Sequence, residues 1–112
     1  YEIVKESQKA GLKAVKPQKT CASVDYACRK IIEEHNYGPH FIHSTGHGIG
    51  LDVHESPNIS AKNKEKLKKG MAITVEPGIY IPKKFGVRIE DSLIVKDSAS
   101  VMHKFTKDLI VI

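Results

Sequence analysis

Tryptophan is absent from these 112 residues, phenylalanine occurs three times, tyrosine four times and cysteine twice. A chain this poor in aromatics must build its core from aliphatic side chains, and two cysteines cannot frame a disulfide scaffold. Cys21 and Cys28 are seven positions apart in a helical pattern. At ~1.5 Å rise per residue their Cα atoms are about 10.5 Å apart, beyond the roughly 7 Å a disulfide can span. With no bridge and no signal peptide, an intracellular, cytoplasmic location is expected. No apolar run approaches the ~20 residues of a membrane span, so no membrane partner is expected. An initiating methionine is also lacking: Tyr1 comes first, and the expectation is a piece of a longer protein.

The charge excess is modest. Eighteen lysines and arginines face 13 acidic residues, for a net charge of +5. Five lysines fall in AKNKEKLKK, Ala61 to Lys69, a run that reads as a solvated face, and a nucleic-acid partner is not the first expectation.

The first third has helical periodicity. Ile3, Val4, Ala10, Leu12, Ala14 and Val15 form one apolar stripe, which ends at Lys16-Pro17 because a residue before proline avoids the α region. Thr20 reads as an N-cap. A second helix runs from Cys21 to about His35, with Val24, Ala27, Cys28, Ile31 and Ile32 on its apolar face, and Asn36-Tyr37-Gly38-Pro39 closes it. Beyond Pro39 the composition turns to glycine and β-branched residues. Strands are expected at 40–44, 51–54, 71–76, 79–82, 87–95 and 108–112, with a short helix between Ser60 and Lys69 ended by Gly70. Helices followed by a mostly antiparallel sheet give an α+β fold.

Within this second part lie FIHSTGHGIGLDVHESP, ITVEPGIYIP and GVRIEDS, which carry His43, His47, His54, Glu76 and Glu90 on apolar or glycine-rich backbone. A carboxylate is costly to bury unless paired or bound to a cation, so Glu76 between Val75 and Pro77, and Glu90 after Ile89, call for a partner. His47 stands among Gly46, Gly48 and Gly50, which leave its ring an open approach. A mixed imidazole and carboxylate set suits manganese, cobalt, zinc or ferrous iron. The plainer alternatives are a surface turn carboxylate at Glu76, a structural pair between Arg88 and Glu90 on one strand face, and packed histidines at 43 and 54. Strands 40–44 and 51–54, paired across GHGIG, would aim His43 and His54 into one cleft. GHGIG lacks the Lys-Ser/Thr and following helix of a phosphate loop.

In order, HSTGHGIGLDVHESP, KKGMAITVEPGIYIP and GVRIEDSLIV resemble the pita-bread metallopeptidases, and among them the Xaa-Pro dipeptidases, or prolidases. The resemblance implies that residues 1–112 are the C-terminal part of a metallopeptidase catalytic domain, truncated on its N-terminal side. It implies half of a pita-bread fold, two helices packed on a curved, mostly antiparallel sheet. It also implies two divalent metal ions, manganese or cobalt first and zinc or iron next. His47 and Glu76 would bind one metal, and Glu90 would bridge both. A water between the ions would attack the bond before proline, with Glu76 as proton shuttle, His54 steadying the intermediate, His43 facing the substrate and Arg88 supporting Glu90. Two aspartates that the family draws from an upstream hairpin are not in this sequence, and neither Asp25 nor Asp52 replaces them. The expected partners are therefore an Xaa-Pro dipeptide or peptide and the missing N-terminal half. An unpaired sheet edge would also allow a homodimer. Weak metal binding and little activity are expected of these residues alone. The alternatives are a methionine aminopeptidase and a non-catalytic module that binds protein or RNA.

Overall fold

The computed structural model describes residues 1–50, 55–104 and 106–109. Helix α1 spans Glu2–Ala14 and α2 spans Cys21–Glu34. Seven strands follow among the described residues: β1 Gly46–Gly48, β2 Glu55–Ile59, β3 Ala72–Val75, β4 Gly78–Ile81, β5 Phe85–Arg88, β6 Asp91–Val95 and β7 Ala99–Val101. Five form an antiparallel sheet in the order β2-β1-β3-β6-β7, and β4 pairs with β5 as a separate hairpin. This is the α+β arrangement expected.

The two helix boundaries fall close to where the sequence places them. Val15 caps α1 in extended backbone just before Pro17, and Thr20 Oγ1 accepts a hydrogen bond from Ser23 N at 3.1 Å. The buried face of α1 differs from the expected stripe. It consists of Val4, Ser7, Gln8 and Gly11, with Ala10, Leu12 and Ala14 less covered. Close helix contact explains this: a Cβ on Gly11 would lie 2.3 Å from Cys28 Sγ, and Ser7 donates to the Cys28 carbonyl at 2.8 Å. The core is aliphatic: Val4, Val24, Cys28 and Ile32 of the helices meet Ile73, Val75, Leu93 and Val95 of the sheet. Both cysteines are buried and free. No helix among the described residues is long and apolar enough to cross a membrane.

Three expected elements are corrected. Residues 40–44 form no strand: a 3-10 turn at Gly38–His40 leads into irregular backbone, and the strand is the glycine segment β1 itself, paired with β2. Extended backbone at Gly46 approaches β3 so closely that a Cβ there would stand 1.9 Å from the Thr74 carbonyl oxygen. Residues 60–69 are turn and loop rather than helix. Their backbone is used elsewhere, because the Glu65 and Asn63 carbonyls accept from Cys21 N and Ala22 N at 2.8 and 2.7 Å, capping α2. Leu67 is anchored there, fully buried. The stretch 87–95 is broken between β5 and β6 at Ile89 and Glu90. The expected strand at 51–54, with His54, and the end of the one at 108–112 lie outside the described residues, while Asp108 and Leu109 are not in a strand.

Candidate metal centre

Strand alternation sorts the site from the core. In β3, Ile73 and Val75 are buried toward the helices, which turns Thr74, and in phase with it Glu76, to the other face. The same alternation buries Ile89, Asp91 and Leu93 and leaves Arg88 and Glu90 more open. Register then brings the two strands together, with Val75 opposite Asp91 and Thr74 opposite Ser92. Strand β1 brings His47 to the same face, where its backbone N–H donates to Thr74 Oγ1 at 3.1 Å.

His47 Nδ1 lies 2.8 Å from the Gly48 carbonyl, a contact that requires the proton on Nδ1. On the other side of the ring, Nε2 stands 3.4 Å from Glu76 Oε2. That carboxylate oxygen is buried and accepts no hydrogen bond among the described residues. Glu90 completes the group. Burial, then the charge of Glu76 and a hydrogen bond to it, raise the Glu90 carboxyl above its ordinary value, against the opposing pull of Arg88 and His47. Arg88 Nη2 is 3.7 Å from Glu90 Oε1.

In chemical type, the imidazole of His47 and the carboxylates of Glu76 and Glu90 are donors that suit a divalent cation. Among the described residues no three of His, Cys, Asp and Glu stand close enough to hold an ion unaided.

His47, Glu76, His43 and Arg88 line one cleft of about 530 Å³ together with Ser56 and Asn58, while Glu90 lines an adjoining hollow with Arg88 between them. His43 is held at both nitrogens. Its Nδ1 is 2.7 Å from the Ser44 carbonyl, so Nε2 accepts from the Tyr80 hydroxyl at 2.9 Å. The two rings meet edge to face with centroids 5.3 Å apart. Tyr80 was not among the residues singled out in the sequence. Its position four residues after Glu76, just across the proline-glycine turn, was the available signal. His54 lies outside the described residues.

The model of metallopeptidase family M24 matches residues 1–97. The chain belongs to metallopeptidase family M24. Its similarity to M24 proteins is high at both levels. An Xaa-Pro dipeptidase of Pyrococcus furiosus is 51% identical over 111 residues, 98% of this chain and 32% of that protein. Among solved structures, an Xaa-Pro dipeptidase from Bacillus anthracis superposes with a TM-score of 0.97 at 47% identity, over 100% of this chain and 32% of its own. A prolidase from Pyrococcus furiosus does so with a TM-score of 0.93 at 50% identity, over 96% and 32%. The chain spans about a third of the length of these relatives, and its α+β fold is like that of the pita-bread prolidases it superposes on.

Proposed function

We propose that this chain is the C-terminal, metal-site part of the catalytic domain of an Xaa-Pro dipeptidase, which hydrolyses the bond before proline. The observation that carries the reading is the buried, unsatisfied Glu76 Oε2 facing His47 Nε2 at 3.4 Å, with the perturbed Glu90 carboxyl beside it. The names of the relatives supply the Xaa-Pro preference.

In this reading His47, Glu76 and Glu90 would hold the divalent metal pair, manganese or cobalt before zinc or iron. Bound metal would supply a lowered water pKa and a polarised scissile carbonyl. The chain's own residues do the rest. Glu76 receives and passes on the proton, being the carboxylate with an uncommitted oxygen. Arg88 orients Glu90 from 3.7 Å. His43, fixed by Ser44 and Tyr80, presents its ring to the substrate cleft. His54 is assigned its role of steadying the reacting carbonyl by motif position alone. The remaining ligands and the rest of the cleft come from the other half of the domain, so the 112 residues alone bind metal weakly and give little or no turnover. Free, buried cysteines suit a reducing compartment, in keeping with a cytoplasmic peptidase. The lysine-rich loop, the feature that would serve an RNA-binding module, has a structural task in capping α2.

The test is release of proline from Leu-Pro or Met-Pro by the full-length gene product carrying this chain, with Mn(II) or Co(II) added. Turnover that a chelator and His47→Ala both abolish is expected. Turnover that survives His47→Ala, or none with any divalent metal, would sink the reading.

A further inference from the structure

Beneath the metal site, α2 carries a carboxylate that has nothing to do with metal. Asp25 is fully buried, and each of its oxygens has a partner. Arg29, one turn on, donates from Nε to Oδ2 at 3.0 Å and from Nη2 to Oδ1 at 3.1 Å, while Thr45 Oγ1 donates to Oδ1 at 2.8 Å. The guanidinium does more than neutralise the acid. Nη1 donates to the Phe41 carbonyl and Nη2 to the His43 carbonyl, both at 3.0 Å, and its plane lies over the Phe41 ring, 4.0 Å from the centroid. Between the backbone bonds of Phe41 to Gly38 and of Thr45 to Ile59 and Glu76, residues 42–44 have no ladder, and the Arg29 contacts hold that stretch to its path.

The segment in turn touches the site twice. His43 projects from it into the cleft, and the Thr45 carbonyl accepts from Glu76 N at 2.6 Å, while Thr45 N donates to the Ile59 carbonyl at 2.9 Å. A helix-borne ion pair is thereby connected to a candidate ligand and to a substrate-facing histidine through one threonine and two carbonyls. We propose that Asp25 and Arg29 are positioning residues for the peptidase site, acting through Thr45 on Glu76 and through the 41–45 backbone on His43. Neither touches substrate or metal. A fork-shaped guanidinium is required, because only planar, divergent donors reach one carboxylate and two carbonyls at once; a lysine ammonium cannot. The inference rests on the peptidase reading above for its consequence in catalysis, but its geometric content stands apart from it.

The experiment uses the full-length protein with ¹⁵N-labelled histidine. In metal-free wild type, His43 is expected in the Nδ1–H tautomer that its bonds to Ser44 and Tyr80 impose. In Arg29→Lys and in Thr45→Val, which is nearly isosteric and avoids an unpaired buried cation, the ring signals should move toward a tautomer average. In the manganese-loaded enzyme kcat for Leu-Pro should fall about tenfold or more with KM within about twofold, as small misplacements of reacting groups do. Thr45→Ser, which keeps the hydroxyl, should return both readouts to wild type. Val4→Ala, a core truncation far from the loop, should lower stability without moving the His43 signals. Unchanged His43 signals in folded Arg29→Lys and Thr45→Val would overturn the proposal, as would an equal shift in Val4→Ala. If wild type hydrolyses no Xaa-Pro dipeptide, the peptidase reading falls while the ring signals still decide the role of the pair.

Discussion

Two buried acidic regions sit in this small domain and are solved in opposite ways. On the helix side Asp25 is saturated by Arg29 and Thr45, while Asp91 Oδ2 takes Gln8 at 2.7 Å and Lys107 at 2.6 Å and its Oδ1, 3.0 Å from His103 Nε2, accepts no hydrogen bond among the described residues. On the open face of the same sheet Glu76 keeps a buried oxygen without a hydrogen-bond donor among the described residues, and Glu90 is pushed toward its protonated form by burial and by that neighbour. Asp91 and Glu90 are adjacent in sequence, yet alternation turns one into the core against Gln8 and Lys107 and the other into the site. The lesson is that a satisfied buried acid reads as architecture. An unsatisfied one reads as a place held for a cation, because folding alone gives no reason to tolerate it.

The largest effect that would break this contrast is on activity. Glu90→Gln or His47→Ala in the full-length, metal-loaded protein should cut Leu-Pro turnover by more than ~100-fold, beyond the loss that follows from removing a ligand's supporting partner. Steady-state kinetics with circular dichroism as a fold control decides it. A mutant that keeps its activity and fold would place the two glutamates with the structural acids.

Next comes stability, where the two regions should differ in sign. Asp25→Asn strands a guanidinium and should cost about 2–3 kcal/mol, the low side of the range for a broken buried pair because the Arg29 side chain is 24% exposed. Glu76→Gln in chelated protein should instead leave stability unchanged or raise it by about 1 kcal/mol, since it replaces an unsatisfied carboxylate with a neutral amide. Urea titrations of both would show it. Equal losses would erase the distinction.

A smaller effect sharpens the comparison through pH. The folded protein holds the Glu90 proton more tightly than the unfolded chain, whose ordinary value is 4.5. The Glu90 contribution to metal-free stability is therefore fully present below that value and is lost as pH rises through the raised folded value. Wild type minus Glu90→Gln, followed by unfolding across the acidic range, should show that decline, and divalent metal should reverse it. A contribution that grows with pH in the metal-free protein would contradict the burial argument.

The smallest effect concerns the apolar interior between the two regions. Burial pushes the Cys21 thiol up to about 11 and Cys28 up to about 12, so neither forms thiolate near neutrality. Iodoacetamide at pH 8 should label neither in the folded protein and both after denaturation. Fast native labelling of Cys28 would mean that α1 and α2 separate readily where Gly11 meets it.

Legibility followed the range of the interactions. Helix ends at Pro17 and Thr20 depend on neighbouring residues, and their positions matched. The glycine strand β1 did not look like a strand, because its extended backbone is dictated by the approach of Thr74 rather than by its own composition. The segment 60–69 has helical periodicity and a basic end, yet its carbonyls are drawn off to cap α2. Of the candidate site, the histidine and glutamates were visible as charged groups in apolar settings. Tyr80, Thr45, Asp25 and Arg29 were not, because each has an ordinary sequence setting and becomes informative only through partners 12 to 37 positions away.

The sequence by itself determined the residue types at the site, the glycines and proline that shape its turns, the helix limits and the α+β class, since all of these rest on local stereochemistry and side-chain chemistry. Only the tertiary structure decided which acids are satisfied. Whether Asp25 meets an arginine, whether Glu76 faces the His47 ring, and which face of the sheet receives Glu90 depend on strand register and helix packing between distant segments, and no local preference encodes a distance.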